Sequence, residues 1–142
     1  ILPFRWQGHI VGNTARKVVQ GSPKYLSDQH PHFVFNFDRQ LEEQKYISVC
    51  EGPFDALFLD NSIPLLGKKM SDVLFETLYE KAKGKITIVL DGDAWEDAKR
   101  LYFKLSGGKL YGRIKVVKLP VESDIADMRG VIPEDSYIEL ER

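Results

Sequence analysis

From Tyr46 onward the chain alternates short apolar runs with amphipathic segments, and this alternation narrows its fold more than any other feature. The apolar runs are 46–50, 63–66, 85–90 and 114–119, each of strand length. Between them, 54–61, 71–83 and 94–105 carry apolar residues at helical spacing. In the second of these, Val73, Leu74, Leu78 and Ala82 share a face, and Ser71 stands where an N-cap belongs. In the third, Ala98, Leu101, Tyr102 and Leu105 line one side, and Gly107-Gly108 stops the helix. The order βαβαβαβ with short connections predicts an α/β fold, a parallel four-stranded sheet with flanking helices. Ahead of it, 2–6 and 9–14 flank the turn pair Gln7-Gly8 and read as strands, with a further turn at Ser22-Pro23. The polar stretch 41–45 reads as a connector. The expected division is a small, mainly β, basic subdomain over 1–44, the α/β domain over 45–130, and a tail or the start of another subdomain over 131–142.

In open parallel sheets, ligands gather outside the carboxyl ends of the strands. The acids of this chain fall there. Glu51 follows the first strand, Asp91 and Asp93 the third, and Asp124 and Asp127 come shortly after the fourth. In an extended strand end, residues two apart point the same way, so Asp91 and Asp93 converge. Two converging carboxylates repel unless a cation neutralises them. An all-oxygen site of this kind suits Mg²⁺ or Mn²⁺. A plainer reading makes Asp91 a helix N-cap and Asp93 a first-turn acid. Glu51 is harder to explain that way, because it ends a buried apolar strand at the same sheet edge. Gly52 permits a tight turn after it, and Pro53 suits the start of a helix. Asp55 would then lie near a helix N-terminus, which favours an acid whether or not a metal is near.

Composition limits the alternatives. The formal net charge is -1 and 43% of residues are hydrophobic, which fits a globular domain and does not announce a nucleic-acid binder. The charges are nevertheless uneven. Arg5, Arg16, Lys17 and Lys24 precede position 37, where Asp28 is the only acid, whereas the chain from Glu122 on is rich in Asp and Glu. This asymmetry suggests a basic face beside an acidic pocket, or simply an unevenly charged solvated surface. The single cysteine, Cys50, rules out an internal disulfide, and with three scattered histidines it makes a poor zinc ligand set. No apolar run approaches membrane-spanning length. A reducing compartment, the cytoplasm of a bacterium or of a virus-infected host, is the expected setting. Opening at Ile1 rather than Met, the chain reads as a piece of a longer protein.

Specific motifs lead further. Val49-Cys50-Glu51-Gly52-Pro53-Phe54-Asp55-Ala56-Leu57 resembles the first toprim motif, and Val89-Leu90-Asp91-Gly92-Asp93 resembles the second. The flanks are similar to those of bacterial-type (DnaG-like) DNA primases. Ile1-Leu2-Pro3-Phe4-Arg5 and Gly8-His9-Ile10-Val11-Gly12 look like the strand pair that precedes toprim in that family. Ala15-Arg16 and Ser22-Pro23-Lys24-Tyr25-Leu26-Ser27 resemble its Gly-Arg and Pro-Lys-Tyr-Leu-Asn signatures. Leu65-Leu66-Gly67 takes the place of a Leu-Gly turn, and Leu119-Pro120 with Asp124 and Asp127 resembles the Leu-Pro element and its trailing acids. The chain departs from the pattern at Ser27, Asn36 and Ile125-Ala126, which points to a divergent phage or viral member.

The resemblance implies a toprim catalytic core of a primase, a nucleotidyltransferase that makes RNA primers from ribonucleoside triphosphates on a single-stranded DNA template during replication. It implies a Mg²⁺ or Mn²⁺ site on Glu51, Asp91 and Asp93, with Asp124 assisting and Asp55 and Asp127 as further candidates. It places template and nucleotide binding on Arg16, Lys24, Arg5, Lys17, Tyr25 and Lys68. For Tyr25 core packing is an equal alternative, and for Lys68 with Lys69 a solvated lysine pair. Trp95 reads as packing. A replicative helicase, in cis or in trans, is the implied partner. Two rival readings share the acids: a toprim nuclease, and a non-catalytic fragment that only binds nucleic acid. A topoisomerase would need a nucleophilic tyrosine in a separate module, and none fits here.

Overall fold

The structure, a computed structural model, describes residues 1–6, 8–21, 25–29, 46–66 and 69–140. Lys24, Lys68, Gly67, the turn at Ser22-Pro23 and the connector 41–45 lie outside the described residues. Among the described residues no helix is long and apolar enough to cross a membrane.

Two sheets form. The first is antiparallel, with β1 (Leu2–Trp6), β2 (His9–Arg16) and β3 (Tyr25–Gln29) in that order. The second contains β4 (Tyr46–Cys50), β5 (Ser62–Pro64), β6 (Lys85–Val89), β7 (Ile114–Val117) and β8 (Tyr137–Ile138), ordered β5-β4-β6-β7-β8. The first four of these are mutually parallel, as expected. The segment after 131 adds the two-residue β8, antiparallel to β7, with Val117 opposite Tyr137.

The apolar runs explain why this sheet is covered on both faces. Val49, Ile88 and Val116 point to the side that carries α1 (Asp72–Lys81) and α2 (Trp95–Leu105), where they pack with Leu74, Leu78, Leu101 and Leu105. Cys50, Val89 and Val117 point the other way. Cys50 meets Phe4 and Ala56, so the first sheet packs directly behind the end of β4. Val89 and Val117 meet Leu119 and Ile125 of the loop after β7. Ser71 caps α1 as its position suggested: its Oγ accepts the Leu74 N–H at 3.2 Å.

The expected helix over 54–61 shrinks to one 3₁₀ turn, Asp55–Leu57. The Ser62 side chain takes up carbonyls that would have propagated it. Its Oγ lies 2.9 and 2.8 Å from the Ala56 and Leu59 carbonyl oxygens, which share its one hydroxyl proton. Asn61, at φ 52°, then turns the chain into β5. Local hydrogen bonding of this kind competes with a helix, and apolar spacing alone does not reveal it.

Candidate metal centre

Strand order positions the site. The chain leaves β4 for β5 on one side and returns through α1 to β6 on the other. That reversal opens a crevice beyond the carboxyl ends of β4 and β6, where a doubly wound sheet places its ligand. Glu51 immediately follows β4, and Asp91-Gly92-Asp93 follows β6. Glu51, Asp91 and Asp93 each offer a carboxylate oxygen, and these atoms lie within 4.8 Å of one another. Glu51 and Asp91 are half-buried and Asp93 is exposed, so the cluster has a protein floor and an open side. Among the described residues, neither Asp91 nor Asp93 forms an ion pair.

Asp91 carries the electrostatic signature of the cluster. Burial, then the charges of Glu51, Asp55, Asp124 and Asp93, push its carboxyl up to about 7. Nor does its side chain cap the following turn; the bond there runs from the Ala94 N–H to the Asp91 backbone carbonyl, at 2.9 Å. The N-cap reading therefore has no hydrogen bond behind it. Three convergent carboxylates, one of them pressed toward protonation by its neighbours, fit a hard divalent cation with oxygen ligands.

The other expected acids do different work here. Asp55 is 8% exposed. Its Oδ2 accepts the Gly52 N–H at 3.1 Å and its Oδ1 accepts the Ala126 N–H at 3.3 Å. It thereby ties the turn after Glu51 to the loop after β7. Burial and the nearby Asp124 raise its pKa, and the two backbone donors oppose that rise. Asp124 Oδ1 accepts the Asp127 N–H at 2.6 Å, and Asp127 is exposed. Asp55, Asp124 and Asp127 thus surround the convergent trio without joining it. Cys50, next to Glu51, is fully buried, and burial followed by the charges of Asp55 and Asp91 pushes its thiol well up. It is an inert thiol that packs.

Several backbone features of the site had no signal in the sequence. Leu66 sits at φ 60°, a region unusual for a side chain of its size, and its N–H donates to the Glu51 carbonyl at 3.1 Å. At Gly92 the Pro120-Val121 backbone fills the space a side chain would need: a Cβ there would stand 1.8 Å from the Pro120 carbonyl oxygen. The Gly92 N–H also donates to the Ser123 carbonyl at 2.8 Å. The Asp pair is consequently clamped to the loop that carries Asp124. Gly92→Ala is expected to lower stability by about 2 kcal/mol or more, as overpacking against a backbone does, with a matching loss of metal affinity. Urea unfolding at unchanged m-value, together with calorimetric titration of Mn²⁺, measures both; a variant of parent stability would contradict this packing.

The basic residues are less concentrated. Arg5 and Arg16 project exposed from β1 and β2, and Lys17 follows β2. Arg16 lies in register with Tyr25 of β3. Trp95 opens α2 and packs on the core, with the Lys118 and Lys99 ammonium groups 5.3 and 5.9 Å from its ring centre.

No protein-family model and no curated protein matches the chain. Solved structures do. The DnaG catalytic core superposes with a TM-score of 0.70 at 22% identity, over 89% of this chain and 46% of that one. The DnaG primase catalytic domain bound to ssDNA gives 0.69 at 21%, over 94% and 49%. The RNA polymerase domain of Mycobacterium tuberculosis primase DnaG gives 0.64 at 20%, over 89% and 49%. The chain spans about half the length of these structures. Sheet and acidic edge together define a toprim-type α/β fold. More particularly, the fold is that of a DnaG primase catalytic core.

Proposed function

We propose that this chain is the catalytic core of a DNA primase, which joins ribonucleotides on a single-stranded DNA template. The observation that carries this reading is the meeting of Glu51, Asp91 and Asp93 at the switch point of a primase-core fold. In the reaction a 3′-hydroxyl oxygen bonds to the α-phosphorus of a nucleoside triphosphate. The α–β bridging P–O bond breaks, pyrophosphate leaves, and the hydroxyl proton passes to solvent.

Glu51, Asp91 and Asp93 would hold Mg²⁺ or Mn²⁺, which when bound polarises the attacking oxygen and neutralises charge on the leaving group. Glu51 and Asp91 form the fixed floor of the site, and exposed Asp93 faces the side from which nucleotide enters. Asp55 keeps Glu51 at its post through Gly52, and Asp124 adds negative potential behind Asp91. Template binding falls to the first sheet, where Arg5, Arg16 and Lys17 offer cations to phosphates, joined by Lys24, Tyr25 and Lys68. A replicative helicase would deliver the exposed strand.

The test supplies single-stranded DNA, ribonucleotides and Mn²⁺, and follows new RNA and shortened DNA on one gel. RNA that disappears in the Glu51→Gln variant is the expected result. Cut DNA without RNA would replace the primase reading with a nuclease that uses the same acids.

A further inference from the structure

A second surface of the molecule is unlike the acidic edge in every respect. α2 runs from the carboxyl edge of the sheet back to its amino edge, so residues 104–113 lie at the opposite pole from Asp91. From Ala98 to Pro120 the sequence contains lysines and arginines but no Asp or Glu. At that pole the positive charge meets aromatic rings. Phe75 and Tyr79 of α1 stack with centroids 5.9 Å apart. The Lys104 ammonium lies 5.0 Å from the Phe75 ring centre, and the Lys109 ammonium 4.7 Å from that of Tyr79. Two cations are thus held side by side over one stacked pair. Glu76 and Glu80 are exposed on the same helix, yet among the described residues neither lysine forms an ion pair with them. Tyr111, two residues beyond Lys109, is 69% exposed.

We propose that Phe75, Tyr79, Lys104, Lys109 and Tyr111 form a second binding surface for single-stranded nucleic acid, remote from the acidic centre. The two ammonium groups meet consecutive phosphates, and the exposed Tyr111 ring takes an unpaired base. Phe75 and Tyr79 hold the lysines in place by cation–π contact. Only unpaired bases present faces for stacking, which is why the ligand is a single strand and not a duplex. An acidic protein would satisfy the lysines but offers no flat face to stack on the exposed Tyr111 ring. The surface would hold a strand that enters or leaves the catalytic edge, and its binding requires no metal.

The experiment is fluorescence anisotropy of a labelled mixed-sequence DNA oligonucleotide with the purified chain in EDTA, at several salt concentrations. The paired substitution Lys104→Glu and Lys109→Glu is expected to weaken binding by about tenfold. It should flatten the plot of log affinity against log salt by about 1.4, since each lost phosphate contact on a single strand removes about 0.7. Lys104→Arg with Lys109→Arg should retain affinity and slope. Tyr111→Ala should weaken binding by about fivefold and leave the slope alone. All three positions are exposed or lie over rings at the surface, and thermal melting checks that each variant folds. Parent affinity and slope in the glutamate pair would overturn the proposal. So would a Tyr111→Ala variant of parent affinity combined with equal binding of polyglutamate, which would assign the patch to an acidic protein. EDTA separates this outcome from the catalytic one, because primer synthesis can fail without altering it, and the reverse.

Discussion

Asp91→Asn is expected to reduce metal-dependent nucleotidyl transfer by about a thousandfold while making the metal-free fold more stable. The two effects have one origin. Asp91 stands among four other acids, and burial with their charges holds its carboxyl at about 7. Asparagine keeps the shape and removes the charge. If Asp91 holds the cation as proposed, a ligand is lost and the transition state forfeits about 4 kcal/mol of charge stabilisation, a typical share for such a group. In EDTA near neutral pH the same change relieves repulsion. Because Asp91 is only half-buried, solvent screening reduces that relief to roughly 1 kcal/mol, or about 2–4 °C in melting temperature. Turnover on the primer gel and melting in EDTA are the two readouts. A residue with a merely structural role would lose activity and stability together. A variant that keeps parent turnover would remove Asp91 from the centre altogether.

The stabilising half of that prediction depends on which acids meet, and here sequence and structure contributed differently. The parallel sheet was legible because the runs that became Tyr46–Cys50, Lys85–Val89 and Ile114–Val117 are of strand length and alternate with amphipathic segments, and such alternation belongs to an α/β layer. Glu51, Asp91 and Asp93 were legible because they sit at strand ends, where the rule on ligand position applies without side-chain coordinates. The helix over 54–61 failed because Ser62, beyond its end, takes the Ala56 and Leu59 carbonyls, and periodicity does not register a side chain that competes for the backbone. Asp55 was legible as an acid near the site, but its task of bridging the Gly52 and Ala126 amides joins residues far apart in the chain. Gly92 illustrates the same limit. A glycine between the two acids can be read off the chain, but the partner that requires it, the Pro120 carbonyl, belongs to the loop after another strand. The lysine–aromatic pole was hidden for a further reason: its rings come from α1 and its cations from α2 and the turn after it.

The Asp91 environment also sets how metal affinity varies with pH. A metal-binding carboxylate must be ionised, so protons and Mn²⁺ compete for it. With the carboxyl held at about 7 rather than 3.8, that competition occupies the range between those values and ends near neutrality. Affinity should therefore rise by up to tenfold per pH unit until about pH 7 and then level off, so that roughly a hundredfold separates about pH 5 from pH 7. Stability of the metal-free protein should move in the opposite sense. The folded state binds this proton more tightly than the unfolded chain does, so the contribution is fully present below about pH 4 and is lost as pH rises through about 7. Asp55, whose pKa is also raised, pushes stability in the same direction. Calorimetric titration with Mn²⁺ and melting in EDTA across that range read the two curves. In Asp91→Asn the affinity should be low and much flatter with pH, since the proton that competed is gone. A steep rise that persists in this variant would move the titrating group to another member of the cluster, and an affinity independent of pH in the parent would mean that the carboxylates are not pressed together as the fold arranges them.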